Sequence, residues 1–375
     1  MTILYVITAC CLLTWFRWRQ ELRGRSYPFV GISCLYGIWL LANGETIPMD
    51  GITVSVLALT LWMAASLLWA EKKYCIFELF VFFSYFMLFL AARNLPLELI
   101  MWILLPNASI FAALQLYYQR DGIRDRSTFP VFGNSNHNAT FLLLGFYAAL
   151  WLVLNGTYSL IVFVFLIGIA LIRSRCRGAI LALFFSMIFA VILIKSEILF
   201  YITGILIVPT IFNIERFYKP IRGILTETRM EIYKDAIKRI HPRYIVGRGL
   251  NYFADTEYGR VHNDHIEIIG EIGIIGYLLF LNIFSQLGPD KLIFCMLIAF
   301  FISGMFFYPL RQEHLAAPFW AMLGASIGIS GSIGNSFFVL KIIGILSIIA
   351  IMIFTFSVFC NLLDWTVAQN KENKI

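Results

Sequence analysis

Residues 261–280, VHNDHIEIIGEIGIIGYLLF, place two histidines, an asparagine and an aspartate in four consecutive positions and then run straight into apolar sequence. An imidazole titrates near neutrality and can take the proton from an attacking hydroxyl; either histidine of the cluster could serve, and His262 stands first. Asn263, Asp264 and His265 beside it, with Glu267 a turn further on, are candidates to support it. The His-x-x-His spacing also occurs in metal sites. However, no cysteine or third histidine lies near it in sequence, so neither a metal nor a cofactor is expected. Glu267 and Glu271 enter the apolar run itself. Carboxylates there are costly unless paired or in an aqueous cavity, so they mark either function or an ion pair; for Glu271 the ready structural alternative is an arginine from the preceding loop.

Three other clusters have the right chemistry for an anionic, hydroxyl-rich substrate. RSRCRG at 173–178 puts three arginines in five residues between two apolar runs. Such arginines can snorkel to headgroups as anchors, or offer planar forks that bind phosphate in bidentate fashion, a role open to Arg173, Arg175 and Arg177 alike. Arg229 belongs to a polar segment that continues through PRYIVGRGLNYF at 242–253, where Gly247 and Gly249 bracket Arg248. A Gly-x-Gly turn can expose backbone N–H groups to an anion, although most such turns only turn. Finally, GNSNHN at 133–138 carries three asparagines ahead of an apolar run. Helix capping would account for one; Asn136 is a candidate to bond sugar hydroxyls.

The elements that must position these groups are membrane helices. Of 375 residues 60% are apolar and 14% charged, with mean hydropathy +0.81. A soluble domain carries about a quarter charged residues, so this composition indicates a polytopic membrane protein. Long apolar runs fall at 1–16, 28–42, 51–70, 74–92, 98–116, 139–154, 158–172, 178–194, 198–212, 266–284, 291–309, 315–330 and 337–361. Backbone groups in lipid must pair within the segment, and these runs show no alternation, so they are expected to be helices. The expectation is an all-α bundle of 12 or 13 spans forming a single membrane domain over 1–375. Residues 1–16 lack a basic n-region and cleavage site and read as a retained span. The net charge of +7 fits loops facing anionic headgroups or an anionic substrate better than nucleic acid. Six of the seven cysteines lie in apolar runs and read as small hydrophobes.

Residues 213–265 form the one long polar connection. Within it TETRMEIYKDAIKRIHP predicts a helix, with a capping box at Thr228 and Glu231, an apolar stripe of Met230, Tyr233, Ile237 and Ile240, and Pro242 to end it. This helix is expected to lie on the membrane surface or dock on the bundle. Nine spans before the loop put it opposite the N-terminus, on the side where 133–138 and 173–178 also open. Basic RWRQELRGR at 17–25 would then face outward, against the usual charge bias.

The order of these clusters, FGNSNHNA, SRCRGA, Arg229 with Tyr233 four residues on, GRGLNYF and HNDHIEIIGEIGIIG, resembles the bacterial O-antigen ligase and O-antigen polymerase family over residues 130–280. Tyr233 stands where that family often has Trp, and Cys176 and Arg177 alter its Ser-Arg motif. The resemblance implies a metal-independent glycosyltransferase of the bacterial inner membrane with its active site on the periplasmic side. The donor would be a glycan on undecaprenyl pyrophosphate; the acceptor, a lipid A core sugar or a second lipid-linked glycan. A chain-length regulator is a further implied partner. By the same resemblance His262 is the catalytic histidine and Arg175 and Arg229 hold the pyrophosphate. The runner-up from a different class is a transporter or flippase of lipid-linked saccharides, for which internal repeats and broken helices would be expected.

Overall fold

The computed structural model describes residues 50–70, 75–93, 95–120, 135–174, 176–212, 227–255, 260–286 and 290–328. Over these residues the chain is a bundle of helices with no strand: α1 Gly51–Ala65, α2 Cys75–Arg93, α3 Leu97–Arg120, α4 Ser135–Leu154, α5 Ile161–Arg173, α6 Arg177–Ile194, α7 Glu197–Phe212, α8 Glu227–Ile240, α9 Asp264–Ser285, α10 Lys291–Gly304 and α11 Glu313–Gly328. Each apolar run expected between 51 and 330 coincides with one of them. The runs at 1–16, 28–42 and 337–361, the basic 17–25 stretch and the count of 12 or 13 lie outside the described residues. Five segments are long and apolar enough to cross a membrane: Gly51–Leu68, Leu97–Tyr117, Ser135–Leu154, Arg177–Ile194 and Asp264–Ser285.

Helix starts are fixed by short polar side chains that accept the orphan first-turn amides. Asp50 accepts from Thr53 N at 3.0 Å, Asn263 from His265 N and Ile266 N at 3.0 and 3.1 Å, and Asp290 from Leu292 N and Ile293 N at 3.0 Å. α4 is the central helix, buried on nearly every side and packed against α3, α5, α6 and α10. The chain direction alternates through the bundle. Contacts between Asn136 and Cys176 and between Asp264 and Phe307 gather the starts of α4, α6 and α9 and the end of α10 at one end. At the other, the Trp151 indole donates to Asp290 at 2.7 Å.

Two expectations need correction, one about the loop helix and one about the run at 291–309. α8 docks on α9 through Ile232, Ala236 and Ile240, a face turned by about one residue from the anticipated stripe, and this leaves Ile237 exposed. The reason is that α9 presents Gly270 there, and Phe253 and the Ile240 side chain fill the space in front of it. In α10 the helix stops at Gly304 rather than continuing to 309, because Phe306–Arg311 turn back over the end of the bundle.

α9 is broken. Gly273 has φ 73° and ψ 179°, a conformation essentially restricted to glycine. The freed polar groups are met by the loop that follows α8. Arg248 N donates to Gly270 O at 2.9 Å and Gly249 N to Glu271 O at 2.8 Å, while Ile274 N and Ile275 N donate to Tyr244 O and Ile245 O at 2.9 and 3.3 Å. The Trp62 indole of α1 takes the remaining carbonyl, Ile272 O, at 2.7 Å. Apolar surroundings tolerate non-helical backbone only where it is paired in this way. A Cβ on Gly273 would also collide with the Ile245 carbonyl. Gly273→Ala is therefore expected to destabilise the protein by at least about 2 kcal/mol, the cost of the forbidden backbone region plus the clash. A clear drop in the melting temperature of the detergent-purified protein checks this; an unchanged midpoint would refute it.

Candidate functional site

His262 is the residue just before the cap of α9, and its backbone is left-handed, with φ 57°. Both neighbours are pinned. Val261 N donates to the Glu267 carboxylate at 3.0 Å, and Asn263, besides capping α9, donates through Nδ2 to Met305 O at 2.9 Å. The His262 carbonyl accepts the Tyr233 hydroxyl of α8 at 3.3 Å, and its half-buried ring lies 5.1 Å from the Tyr308 ring. A non-glycine residue held in that region with fixed flanks projects its side chain in a direction the helix itself would not allow.

The segment Met305–Arg311 is the hub. Its Phe307 ring lies tilted against His137 of α4 at 4.7 Å and against Tyr308 at 4.5 Å, so His137, Phe307, Tyr308 and His262 form a continuous row. Phe306 packs directly against Gly178 at the start of α6, with no room for a side chain there. Next to it Cys176 donates through Sγ to Asn136 Oδ1 at 3.1 Å. Arg177, half-buried, opens α6 at this junction. The structure thus brings together Asn136, Arg177, His262 and Asn263 around one hub. Burial, and then the charge of Glu267, raises the pKa of the Tyr308 phenol, keeping it a protonated donor at neutral pH.

The remaining candidates separate. His265 is buried, its Nε2 3.0 Å from Phe301 O and its Nδ1 3.1 Å from the Tyr277 hydroxyl. A carbonyl only accepts, so Nε2 carries the proton and Nδ1 accepts from Tyr277; the ring is a structural strut between α9 and α10. Asp264 accepts from Leu310 N at 2.9 Å and fixes the hub to α9. Arg248 donates through Nε to Arg239 O at 3.0 Å and lies 5.5 Å over the Tyr252 ring, so its guanidinium closes the end of α8. The amides of Gly247, Arg248 and Gly249 all donate within the protein, to Arg243 O, Gly270 O and Glu271 O; the anion cradle considered for this turn is taken up by the break in α9. Arg175 lies outside the described residues. Arg229 occupies the turn of α8 before Tyr233, and its side chain also lies outside them.

Glu267 and Glu271 are fully buried and belong to an ionic cluster with a member that sequence reasoning missed, Arg311. Its guanidinium bonds Glu271 and, at 2.7 Å, Glu78 of α2, with Glu267 3.6 Å from Nε. Arg260 approaches Glu267 at 3.6 Å and Glu271 at 3.8 Å, so the loop arginine anticipated for Glu271 is present but secondary. Burial alone would lower the Arg311 pKa, but Glu271, Glu78 and Glu267 raise it overall, so it stays charged. The signal in the sequence was the polar interruption PLRQEH at 309–314 between two apolar runs.

No protein-family model matches the chain, and no curated protein matches it. Among the described residues, no group of three or more His, Cys, Asp or Glu is placed to hold a metal ion.

Removing one partner of a buried ion pair leaves an uncompensated charge, which costs about 3–5 kcal/mol. Arg311→Met is expected to lose stability of that order, and adding Glu271→Gln should recover part of it. Thermal denaturation of the single and double variants measures the coupling; a double variant no more stable than Arg311→Met would show that the pair does not bear on the fold.

Proposed function

We propose that this chain is a membrane glycosyltransferase of the O-antigen ligase or polymerase type, moving a glycan from an undecaprenyl-pyrophosphate carrier to a hydroxyl acceptor. The observation that carries the reading is the placement of His262: a half-buried imidazole in a pinned left-handed turn, at the junction of α4, α6, α8 and α9. In the reaction, the imidazole takes the proton of an acceptor hydroxyl as that oxygen bonds to the anomeric carbon. The bond from that carbon to the carrier's phosphate oxygen breaks, and its electron pair stays on the pyrophosphate. Arginines at span ends meet the charge that develops there, at the depth where a lipid-anchored phosphate lies. Arg177 opens α6 beside the hub, and Arg229 precedes by one turn the tyrosine that bonds the His262 backbone. These two, with Arg175, are the proposed pyrophosphate ligands; Arg248 is engaged within the loop and serves it structurally. Asn136 is the proposed contact to sugar hydroxyls.

The same reading puts the protein in the bacterial inner membrane with its site facing the periplasm. The acceptor is a lipid A core sugar or a second lipid-linked glycan, and a chain-length regulator would be a partner of the polymerase form. One observation favours the transporter or flippase alternative: the break in α9 beside buried carboxylates, a feature of transport helices. A proteoliposome assay that follows both transfer and movement of a lipid-linked glycan separates the two.

His262→Ala is expected to lower transfer by the purified protein by about 100-fold or more, the usual share of a general base, while the melting temperature stays put. Near wild-type turnover would overturn the assignment. Arg229→Lys should also impair transfer although charge is kept, since the bidentate fork is lost. Activity should survive EDTA; loss on chelation with recovery on Mg²⁺ would contradict arginine-only stabilisation of the leaving group.

A further inference from the structure

We propose that residues 243–249 form a re-entrant wedge that enters the bilayer beside α9 and has anionic phospholipid as its partner. Tyr244 and Ile245 meet the acyl chains, and Lys234, Lys238 and His241 meet the headgroup phosphate. This inference stands apart from the catalytic reading and needs no substrate.

Depth is set by hydrogen bonds. Ile274 N and Ile275 N donate to Tyr244 O and Ile245 O, so the wedge lies level with residues ten and eleven positions into the apolar segment Asp264–Ser285. At 1.5 Å per residue the helical part from Asp264 to Ile272 alone runs about 12 Å from its start. A second marker agrees: Trp62, inside the apolar segment Gly51–Leu68, bonds Ile272 O at the same level. Residues from the longest polar connection thus reach well into two candidate spans. Bare loop backbone would not be tolerated there, but Tyr244 O, Ile245 O, Arg248 N and Gly249 N are paired with the break in α9, and Gly247 N with Arg243 O.

The tip has lipid character, while Arg243, exposed at the start of the wedge next to the end of α8, belongs to its headgroup side. Tyr244 and Ile245 are 49% and 51% exposed, beside Ile274 at 39%, Ile275 at 37% and Leu278 at 58% on α9. This face is continuous with the apolar outside of a candidate span, which is the argument for acyl chains over a protein partner. Towards the headgroups, Ile237 is exposed on the side of α8 turned away from α9, with Lys234, Lys238 and His241 also exposed. Of the acidic residues on this helix whose side chains are described, Asp235 is paired with Arg239 at 2.6 Å, and Glu231 is exposed a turn before it. An apolar tip under a row of lysines is the pattern of an interfacial lipid contact.

The test uses the full chain in vesicles of phosphatidylcholine with a minority of phosphatidylglycerol. Nitroxide labels go at Ile245→Cys, Leu278→Cys and Lys234→Cys, with the signal of the unaltered chain's own cysteines subtracted. The expected result is that the labels at 245 and 278 collide with oxygen and are shielded from an aqueous nickel chelate, whereas the label at 234 meets the chelate. Chelate access at 245 equal to that at 234 would overturn the wedge, and chelate access at 278 would overturn the lipid face as a whole. For the headgroup half, Lys234→Gln with Lys238→Gln should lower the preference of boundary lipid for phosphatidylglycerol over phosphatidylcholine by about five-fold per lysine. An unchanged preference would overturn that half.

Discussion

A helix that breaks among apolar neighbours must have its freed carbonyls and amides met from elsewhere, and at Gly273 the chain meets that demand with its own loop. Much of the arrangement around the candidate site follows from this one pairing. Because Tyr244–Gly249 are bound to Gly270–Ile275, the end of α8 is fixed against α9. Because α8 is fixed, its Tyr233 hydroxyl reaches the His262 carbonyl. The break also lets the first half of α9 take its own direction, and that half carries Asp264, Glu267 and Glu271 into the cluster with Arg311 and Arg260. The glycines of GRGLNYF and IGEIGIIG are two halves of one joint; at Gly247 and Gly273 a side chain would strike the opposite backbone.

The buried charges belong to the same joint. Four carboxylates, Glu78, Asp264, Glu267 and Glu271, face two arginines, an arrangement that costs desolvation on both sides and brings little net stability. Its effect is specificity. Arg311 can satisfy Glu271 and Glu78 together only if α2, α9 and the Met305–Arg311 hub meet in one register. That register sets Tyr308 against His262 and Phe307 against His137. The intramembrane carboxylates, which by default suggest function, here serve by positioning: they hold the platform on which the imidazole stands.

How far the sequence discloses this depends on the kind of information involved. Apolar runs between 51 and 330 are legible as helices because lipid and core alike demand paired backbone, and that demand is local. Counting alternating spans puts 133–138, 173–178 and 261–265 at one end, and among the described residues Asn136 meets Cys176 while His137 and Asp264 both meet Phe307. The break in α9 was not legible, since IIGEIGIIGYLLF has the composition of an unbroken span and the partner of the break lies in a distant loop. Arg311 escaped notice for a related reason: a lone arginine after an aromatic run looks like an anchor, and only the fold shows that Glu78 and Glu271 surround it. His262 and His265 look equivalent in sequence. Their difference, a pinned turn on one side and a closed strut on the other, comes from Tyr277, Phe301 and Tyr233, none of which the local pattern indicates.

The break also bears on which class of function the architecture suits. Broken helices serve transport when their loose ends face a cavity and can exchange partners as the protein rocks. Here the ends at Gly270–Ile275 are occupied by four backbone bonds and one indole. Opening the joint would leave these groups without partners, at several kcal/mol each wherever water does not reach them. Such a joint resists cycling between two states and preserves one. Chemistry that asks an imidazole and a set of guanidinium groups to keep fixed positions around a lipid-anchored phosphate benefits from that rigidity, whereas alternating access is opposed by it. The feature that at first suggests movement therefore weighs, through its hydrogen bonds, on the side of a fixed site at the rim of the bundle.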